Sequence, residues 1–176
     1  MEQPEFSRLV DTRAIDARTR HLEADEQERA ALAKRFGLIA IHRLEADVEL
    51  AADGPAVDAM GRLEADIVQS CAVSGEDLPV AIREPLSFRF VPESDAPAAP
   101  EEEIELEEHQ LDEIPFTGRS FDLGEAVAQS LALAIDPYAT GPDAERARKE
   151  AGLLDDETAG PFAALAALKG KKGDEG

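Results

Sequence analysis

The sequence predicts an α+β fold in which an antiparallel sheet packs against two main helices. Three stretches, 38–50, 56–71 and 80–91, alternate apolar and polar residues, as strands with one buried face do. Two further stretches, 25–36 and 122–135, carry apolar residues at helical spacing behind a capping aspartate. Long alternating strands with one polar face favour an antiparallel sheet that is covered on one side only. We therefore expect one covered sheet, either open or curled into a partial barrel.

The first helix follows residues 5–15, in which a few apolar residues stand among polar ones, a pattern typical of an edge strand and a loop. Asp25 is placed to cap the helix, and Glu28 occupies the capping-box position three residues later. Gly37 comes directly after the last apolar residue, Phe36, and supplies the left-handed stop of a helix. Local signals therefore define both ends of this helix.

Turn sequences separate the three strands. Asp53-Gly54-Pro55 lies between the first two strands, and Ser74-Gly75 begins the turn before the third. Pro85 in the third strand cannot donate a ladder hydrogen bond, which favours an edge position or a bulge there. Alternation predicts that the buried face of the first two strands contains Leu44, Ala46, Val48, Leu50, Val57, Ala59, Gly61, Leu63, Ala65, Ile67 and Gln69.

The second half of the chain contains an acidic block and the remaining helices. Residues 93–113 include ten acidic residues and no Lys or Arg, and so carry −10 of the formal net charge of −21. We expect this block to be a solvated loop, the least ordered internal segment of the chain. Asp122 caps the second main helix, with Glu125 at the box position. A marginal helix at 143–151 and a short closing helix at 161–169 follow.

A chain of 176 residues is long enough to bury one core. We assign residues 1–91 to an N-terminal strand, the capped helix and the three-stranded sheet, and residues 92–113 to an acidic linker. Residues 114–169 then form the helical part of the same domain. Residues 170–176 are expected to be a disordered tail.

Composition excludes several functional classes. A net charge of −21 repels phosphate backbones, so DNA is not expected as a partner, whereas a basic protein is a suitable one. The single cysteine, Cys71, cannot form an internal disulfide and fits a reducing compartment. The sequence has neither a signal region nor an apolar run of membrane-spanning length. We expect a cytoplasmic protein that does not contact membranes.

No catalytic or cofactor motif is present. The sequence lacks a phosphate-binding glycine loop, a nucleophile elbow and metal-spaced Cys/His residues, and its three histidines lie far apart. Cys71 paired with one of those histidines could form a thiol nucleophile and base, which leaves an enzyme open as an alternative. The more ordinary interpretation is a small, half-buried residue at a strand end. We expect no catalytic residues and no cofactor.

Several segments, taken in order, resemble the YceD family of bacterial large ribosomal RNA subunit accumulation proteins. The segment 69–74, Gln-Ser-Cys-Ala-Val-Ser, is similar to the family's Q-x-C-x-x-C, and 121–126 is similar to its I-D-L-G-E. The segment 131–138 resembles its L-x-L-x-x-x-P, and 161–169 its ending P-F-A-x-L-A-x-L-K. Alphaproteobacterial members in particular resemble the segments 28–38 and 61–71.

The resemblance implies a factor that supports the synthesis, processing or stability of large-subunit ribosomal RNA, with no established enzymatic activity. Because the chain is so acidic, we expect it to act through a ribosome-assembly or ribosomal protein partner, with at most minor direct contact to rRNA. An alternative is an acidic partner that holds a basic ribosomal protein through residues 93–113. Cationic side chains that could still reach rRNA are Arg83, Arg89, Arg146, Arg148, Lys149, Lys169, Lys171 and Lys172.

Many members of the resembled family carry paired cysteines that look like a zinc knuckle. In this chain the second cysteine position is Ser74, and no cysteine follows it. One thiolate and one hydroxyl cannot hold structural zinc, so Cys71 and Ser74 form a degenerate version of that site. We expect zinc to be absent.

The closing helix is the predicted partner-binding element. Phe162, Leu165 and Leu168 recur at spacings of three, which places them on one side of a short helix, with Lys169 just beyond. A helix this short gains most of its order from packing, either on the chain's own sheet or on a partner. Both alternatives remain open from the sequence.

Overall fold

The computed structural model describes residues 4–93 and 112–151. Three α-helices, seven strands and one short 3-10 turn at Thr12–Ala14 make up this part of the chain. The strands are β1 (Leu9–Asp11), β2 (Arg20–Glu23), β3 (Ala40–Asp53), β4 (Ala56–Ser70), β5 (Asp77–Pro92), β6 (Asp112–Phe116) and β7 (Ser120–Asp122). The helices are α1 (Glu26–Phe36), α2 (Leu123–Ala134) and α3 (Ala144–Glu150).

The main sheet has five strands in the order β2-β3-β4-β5-β6, and β1 pairs with β7 in a separate two-stranded sheet. The β2-β3 and β3-β4 pairs are antiparallel, whereas β5 and β6 run parallel. In the described part of the chain the sheet is not closed, because β2 and β6 are its edges. The α+β fold class is confirmed, with an open sheet rather than a barrel.

The strand and helix predictions are confirmed to within a few residues. Asp25 caps α1 by accepting the Glu28 N–H at 2.9 Å, and the Glu28 carboxylate accepts the Asp25 N–H in return. Gly37 ends the helix with φ of 67°, the left-handed conformation that a side chain disfavours. Both halves of the capping box are therefore formed as the sequence predicts.

Three strands were not predicted: β2, β6 and the three-residue β7, which pairs with β1. Residues 20–23 form β2, although only Leu22 among them is buried, so the alternation is too short to be recognised. Residues 112–116 form β6, which includes Pro115 and lies at the edge of the sheet, where a missing N–H is tolerated. Pro85 precedes the first β5 residue that pairs with β6, Phe88.

The core lies between one face of the five-stranded sheet and helices α1 and α2. The residues predicted for the inner face of β3 and β4 are buried, except that Gly61 is half-buried. The core also contains packed aromatic rings. The rings of Phe90 and Phe121 stack with their centroids 4.1 Å apart, and the Phe116 ring packs beside Phe121. Gln69 is a buried polar residue whose side-chain amide donates to the Asp136 carbonyl at 2.8 Å.

The N-terminal segment is held on the first turn of α2. The Asp122 carboxylate caps α2 by accepting the Glu125 N–H at 3.1 Å, and it also accepts the Arg8 N–H at 2.8 Å and the Ser7 hydroxyl at 2.5 Å. A Cβ on Gly124 would lie 2.5 Å from the Phe6 carbonyl oxygen, so only glycine allows this approach.

The prediction for α2 is wrong in one detail, the role of Glu125. The Glu125 carboxylate does not complete a capping box; it accepts two hydrogen bonds, of 3.0 and 2.8 Å, from the Arg35 guanidinium. Arg35 lies in the last turn of α1, so the interaction links the two main helices. A bidentate carboxylate–arginine pair fixes orientation better than a single contact does.

The chain divides into two units. The larger contains the five-stranded sheet, α1 and α2, and the smaller contains the turn Ser70–Leu78 and the chain from Pro137 onward, including α3. The predictions for the acidic block, the closing helix and the tail lie largely or wholly outside the described residues.

Candidate functional site

The turn that contains Cys71 begins directly after β4. The Cys71 N–H donates to the Glu76 carbonyl at 2.8 Å, and the Gly75 N–H donates back to the Cys71 carbonyl at 3.0 Å. Gly75 has φ of 73°, so the turn depends on a glycine at this position. The turn is thus closed by backbone hydrogen bonds, as the absence of a second cysteine requires.

The Cys71 sulfur accepts several hydrogen bonds. The Ser74 N–H lies 3.4 Å from Sγ, and the Gly141 N–H lies 3.3 Å from it. These donors lower the pKa of Cys71 to about 6, with the Gly141 N–H as the largest cause, followed by the Ser74 hydroxyl and the N–H groups of Ser74 and Val73. These donors therefore favour the thiolate over the thiol.

This sulfur is poorly placed for catalysis, although its pKa is low. Cys71 is only 4% exposed, so a substrate has little access to Sγ. The groups that lower its pKa are N–H and hydroxyl donors, not a histidine base. Among residues 4–93 and 112–151, no group of three or more His, Cys, Asp or Glu side chains could hold a metal ion. One sulfur surrounded by donors does not fit a structural zinc site.

The face of the five-stranded sheet that points away from the core is densely charged. Glu23 lies opposite Glu45 across β2 and β3, and Glu45 lies opposite Glu64 across β3 and β4. Like charges directly opposite one another destabilise a sheet. Arg43 offsets part of this cost, because its guanidinium donates to Glu64 at 3.0 Å and to Asp66 at 2.9 Å.

Arg83 and Arg89, like Arg43, lie beside carboxylates on this face. Arg89 donates to Asp53 at 2.6 Å and to Asp58 at 2.7 Å, and Arg83 lies 3.8 Å from Glu64. In the smaller unit, the Arg146 guanidinium lies 3.2 Å from Asp143. Three of the arginines named above as candidate rRNA contacts, Arg83, Arg89 and Arg146, therefore have carboxylate partners within the protein.

A histidine–aspartate pair lies at the β2 edge of the same face. His21 Nδ1 is 2.8 Å from an Asp47 carboxylate oxygen, and this hydrogen bond is the largest cause of a raised pKa for His21. Both side chains are more than half exposed, so the pair is solvent-screened. The sequence gives no sign of this pair, because the two residues are brought together only by the β2–β3 register.

The predicted partner-binding residues Phe162, Leu165, Leu168 and Lys169 lie outside the described residues. Their role therefore remains a prediction. Cys71 and Ser74, in contrast, lie within the described residues and in contact, and Gly141 joins them from 70 residues away. A backbone donor this distant along the chain carries no signal in the sequence.

Comparison with protein families identifies the chain. The sequence model described as large ribosomal RNA subunit accumulation protein YceD matches residues 59–169, more than half of the 176 residues. The chain belongs to the YceD family. No curated protein and no solved structure gives a significant match.

The region matched to YceD begins within β4 and contains the Cys71 turn, the Asp122–Glu125 start of α2 and the predicted closing helix. Helix α1 precedes the matched region, so the likeness of residues 28–38 to alphaproteobacterial members stays a prediction. In the described part of this YceD protein, no helix is both long enough and apolar enough to cross a membrane.

Proposed function

We propose that this YceD protein is a non-enzymatic, cytoplasmic factor that promotes accumulation of large-subunit ribosomal RNA through contacts with an assembly or ribosomal protein. The proposal rests on the ion pairs that arginines of the sheet form with neighbouring carboxylates. Arg83 and Arg89 lie beside carboxylates, and Arg43 is shared among three of them. Cations already neutralised in this way have little charge left for phosphates.

The chemistry of Cys71 supports the non-enzymatic part of the proposal. A nucleophilic cysteine must reach its substrate, and this thiol is buried and surrounded by donors. Its low pKa is explained by the closure of the turn, with no need for a catalytic role. A thiol in the native protein that reacted within seconds with a small alkylating reagent near neutral pH would reopen the enzyme alternative.

The proposed contact element is the predicted closing helix. Its apolar side chains Phe162, Leu165 and Leu168 are followed by Lys169 on an otherwise acidic chain. Replacing Phe162 by Ala should leave the melting temperature nearly unchanged and should remove the partner if the helix docks on it. If the helix packs on its own chain, the same change lowers stability and binding together.

The test is sedimentation of the tagged full chain with large-subunit precursors from gently lysed cells, with and without ribonuclease treatment of the isolated particles. If the contacts are made through protein, the chain should remain attached to ribonuclease-trimmed particles, and Phe162→Ala should release it. The matched control is Leu133→Ala, because Leu133 is a large apolar residue that is 84% exposed on α2. Tight, salt-sensitive binding of the purified chain to naked rRNA would refute the protein-mediated mechanism.

A further inference from the structure

The charged outer face of the sheet contains a depression whose lining includes one large, exposed apolar side chain. It has a volume of about 490 Å³ and lies over β3 and β4. Met60 lies in it and is 60% exposed, which is unusual for a large apolar side chain in the middle of a strand. We call this feature the Met60 depression; its charged lining residues are Glu45, Asp47, Glu49, Arg62 and Glu64.

The strand register sets the charge pattern of the Met60 depression. Glu49 lies opposite Met60, Asp47 opposite Arg62, and Glu45 opposite Glu64. Four carboxylates and one arginine therefore line the depression beside the exposed thioether. Arg43 also contacts Glu45 and Glu64, and His21 contacts Asp47. The remaining excess of negative charge beside an apolar side chain is complementary to a ligand that carries several cations and an apolar group.

The spacing of the carboxylates distinguishes between small and extended ligands. Glu45, Asp47 and Glu49 are successive outward residues of one strand, and such residues lie roughly 7 Å apart. No set of three acidic, histidine or cysteine side chains in the described residues converges closely enough to bind a metal ion. The lining therefore fits an extended chain of cations better than a single ion.

A cationic segment would also relieve an electrostatic cost within the sheet. Glu45 has a glutamate directly opposite it on each side, Glu23 on β2 and Glu64 on β4. Arg43 contacts two of these three, Glu45 at 3.4 Å and Glu64 at 3.0 Å. Because like charges in this register repel, a ligand cation placed among them gains more than one placed beside an isolated carboxylate.

We propose that the Met60 depression docks an Arg/Lys-bearing segment of a basic protein, with an apolar side chain of that segment over Met60 and its cations at Glu45 and Glu49. The choice of a basic ribosomal or assembly protein as the source rests on the proposed function. The physical claim, a structured site for a cationic and partly apolar peptide, is independent of it. Methionine suits such a surface because its flexible, polarisable side chain adapts to different apolar groups.

The test uses the purified full chain and a labelled synthetic Lys/Leu peptide with the repeat Lys-Ser-Leu-Ser, in which Lys and Leu share one face of an extended chain. Binding is followed by fluorescence anisotropy at low and moderate salt. Glu45→Gln/Glu49→Gln should weaken binding about tenfold, since each removes a charge that the peptide contacts. The control is Glu145→Gln/Glu150→Gln, which removes the same charge from exposed positions on α3. Its binding should fall by less than about twofold, as expected for solvent-screened charges that do not line the Met60 depression.

The apolar half of the proposal has its own pair of variants. Met60→Ser should weaken binding about fivefold for the Lys/Leu peptide, by analogy with apolar interface residues. It should have little effect on a Lys/Ser peptide of the same length. Leu133→Ser, which alters an exposed leucine on α2, should change neither.

Two outcomes would overturn the proposal. If both double charge variants weaken binding equally, the peptide is attracted only by the net charge of the protein. If Met60→Ser has no effect, the Met60 side chain does not contact the peptide. Displacement of the peptide by a short single-stranded RNA would point to a different class of ligand. This assay contains no ribosomal particles, so a negative result in it concerns only the Met60 depression. A negative sedimentation result concerns only the proposed function.

Discussion

Replacing Asp122 by Ala is expected to lower the free energy of unfolding by about 3 kcal/mol. The carboxylate accepts three hydrogen bonds, from the Glu125 N–H, the Arg8 N–H and the Ser7 hydroxyl. Loss of an aspartate cap costs about 1 kcal/mol, and each further hydrogen bond to a partly buried carboxylate costs about 1 kcal/mol. The total is large for a single polar side chain because three segments lose a shared acceptor.

This change is best measured by urea unfolding followed by circular dichroism, with hydrogen exchange at residues 6–10 as a local readout. For a chain of this size, a loss of 3 kcal/mol lowers the melting temperature by roughly 6–12 °C. Exchange should accelerate in the N-terminal segment, because the Arg8 N–H loses its acceptor.

The matched control is Asp143→Ala. Asp143 occupies the N-cap position of α3 but makes no side-chain cap hydrogen bond, and its one ion pair, with Arg146, is exposed. Its loss should cost less than about 0.5 kcal/mol. If Asp122→Ala is no more destabilising than this control, then Asp122 does not join the N-terminal segment to α2 in solution, and the reasoning is wrong.

Three further predictions concern the sheet and the turn. Gly61→Ala should destabilise the protein by about 2 kcal/mol or more, because its Cβ would lie 2.0 Å from the Asp47 carbonyl oxygen; Gly141→Ala, 3.5 Å from the nearest side chain, is the control in denaturant unfolding. Absorbance of the thiolate at 240 nm should titrate with a midpoint of about 6, and Ser74→Ala should raise it. Since the pKa of Cys71 is lowered in the folded state, its contribution to stability is present above the ordinary thiol pKa and is lost as pH falls through about 6; an unchanged stability across this range would contradict the assignment. Elemental analysis of protein purified without chelator should find no zinc, and one zinc per chain would overturn the argument from Ser74.

Capping residues and long alternating runs predicted the elements that depend on short-range sequence, namely α1, β3 and β4. The α1 boundaries followed from Asp25, Glu28 and Gly37, and the long alternation of β3 and β4 placed the correct residues inside. The strands that were missed, β2, β6 and β7, are four, five and three residues long. The first two form because a neighbouring long strand offers an unpaired edge, and β7 forms by pairing with β1. Pairing of this kind overrides weak local propensity.

The sequence predicts which charged residues lie on the outer face of the sheet, but not which of them lie opposite one another. Alternation shows that Glu45, Asp47 and Glu49 point outward from β3, and the same holds for Met60 and Glu64 in β4. What it does not provide is the register that sets Glu45 against Glu64. Since a shift of one residue would move every side chain to the other face, the electrostatics depend on a quantity that is not local.

The family motif around Asp122 acquires a physical meaning from these contacts. Asp122 caps α2 and holds the N-terminal segment, Gly124 leaves room for that segment's backbone, and Glu125 reaches Arg35 on α1. The residue types at three positions within four residues are therefore set by one junction of three chain segments.

The Cys71 turn shows how a single cysteine sulfur is stabilised without a second cysteine. In a zinc knuckle the metal's charge stabilises the thiolate. Here N–H donors from Ser74 and Gly141 and the Ser74 hydroxyl stabilise the thiolate instead, so the turn keeps an anionic sulfur without needing a cation. The Gly141 donor also ties the turn to the segment before α3, which gives Cys71 a structural role that a neutral serine, a weaker acceptor, would perform less well.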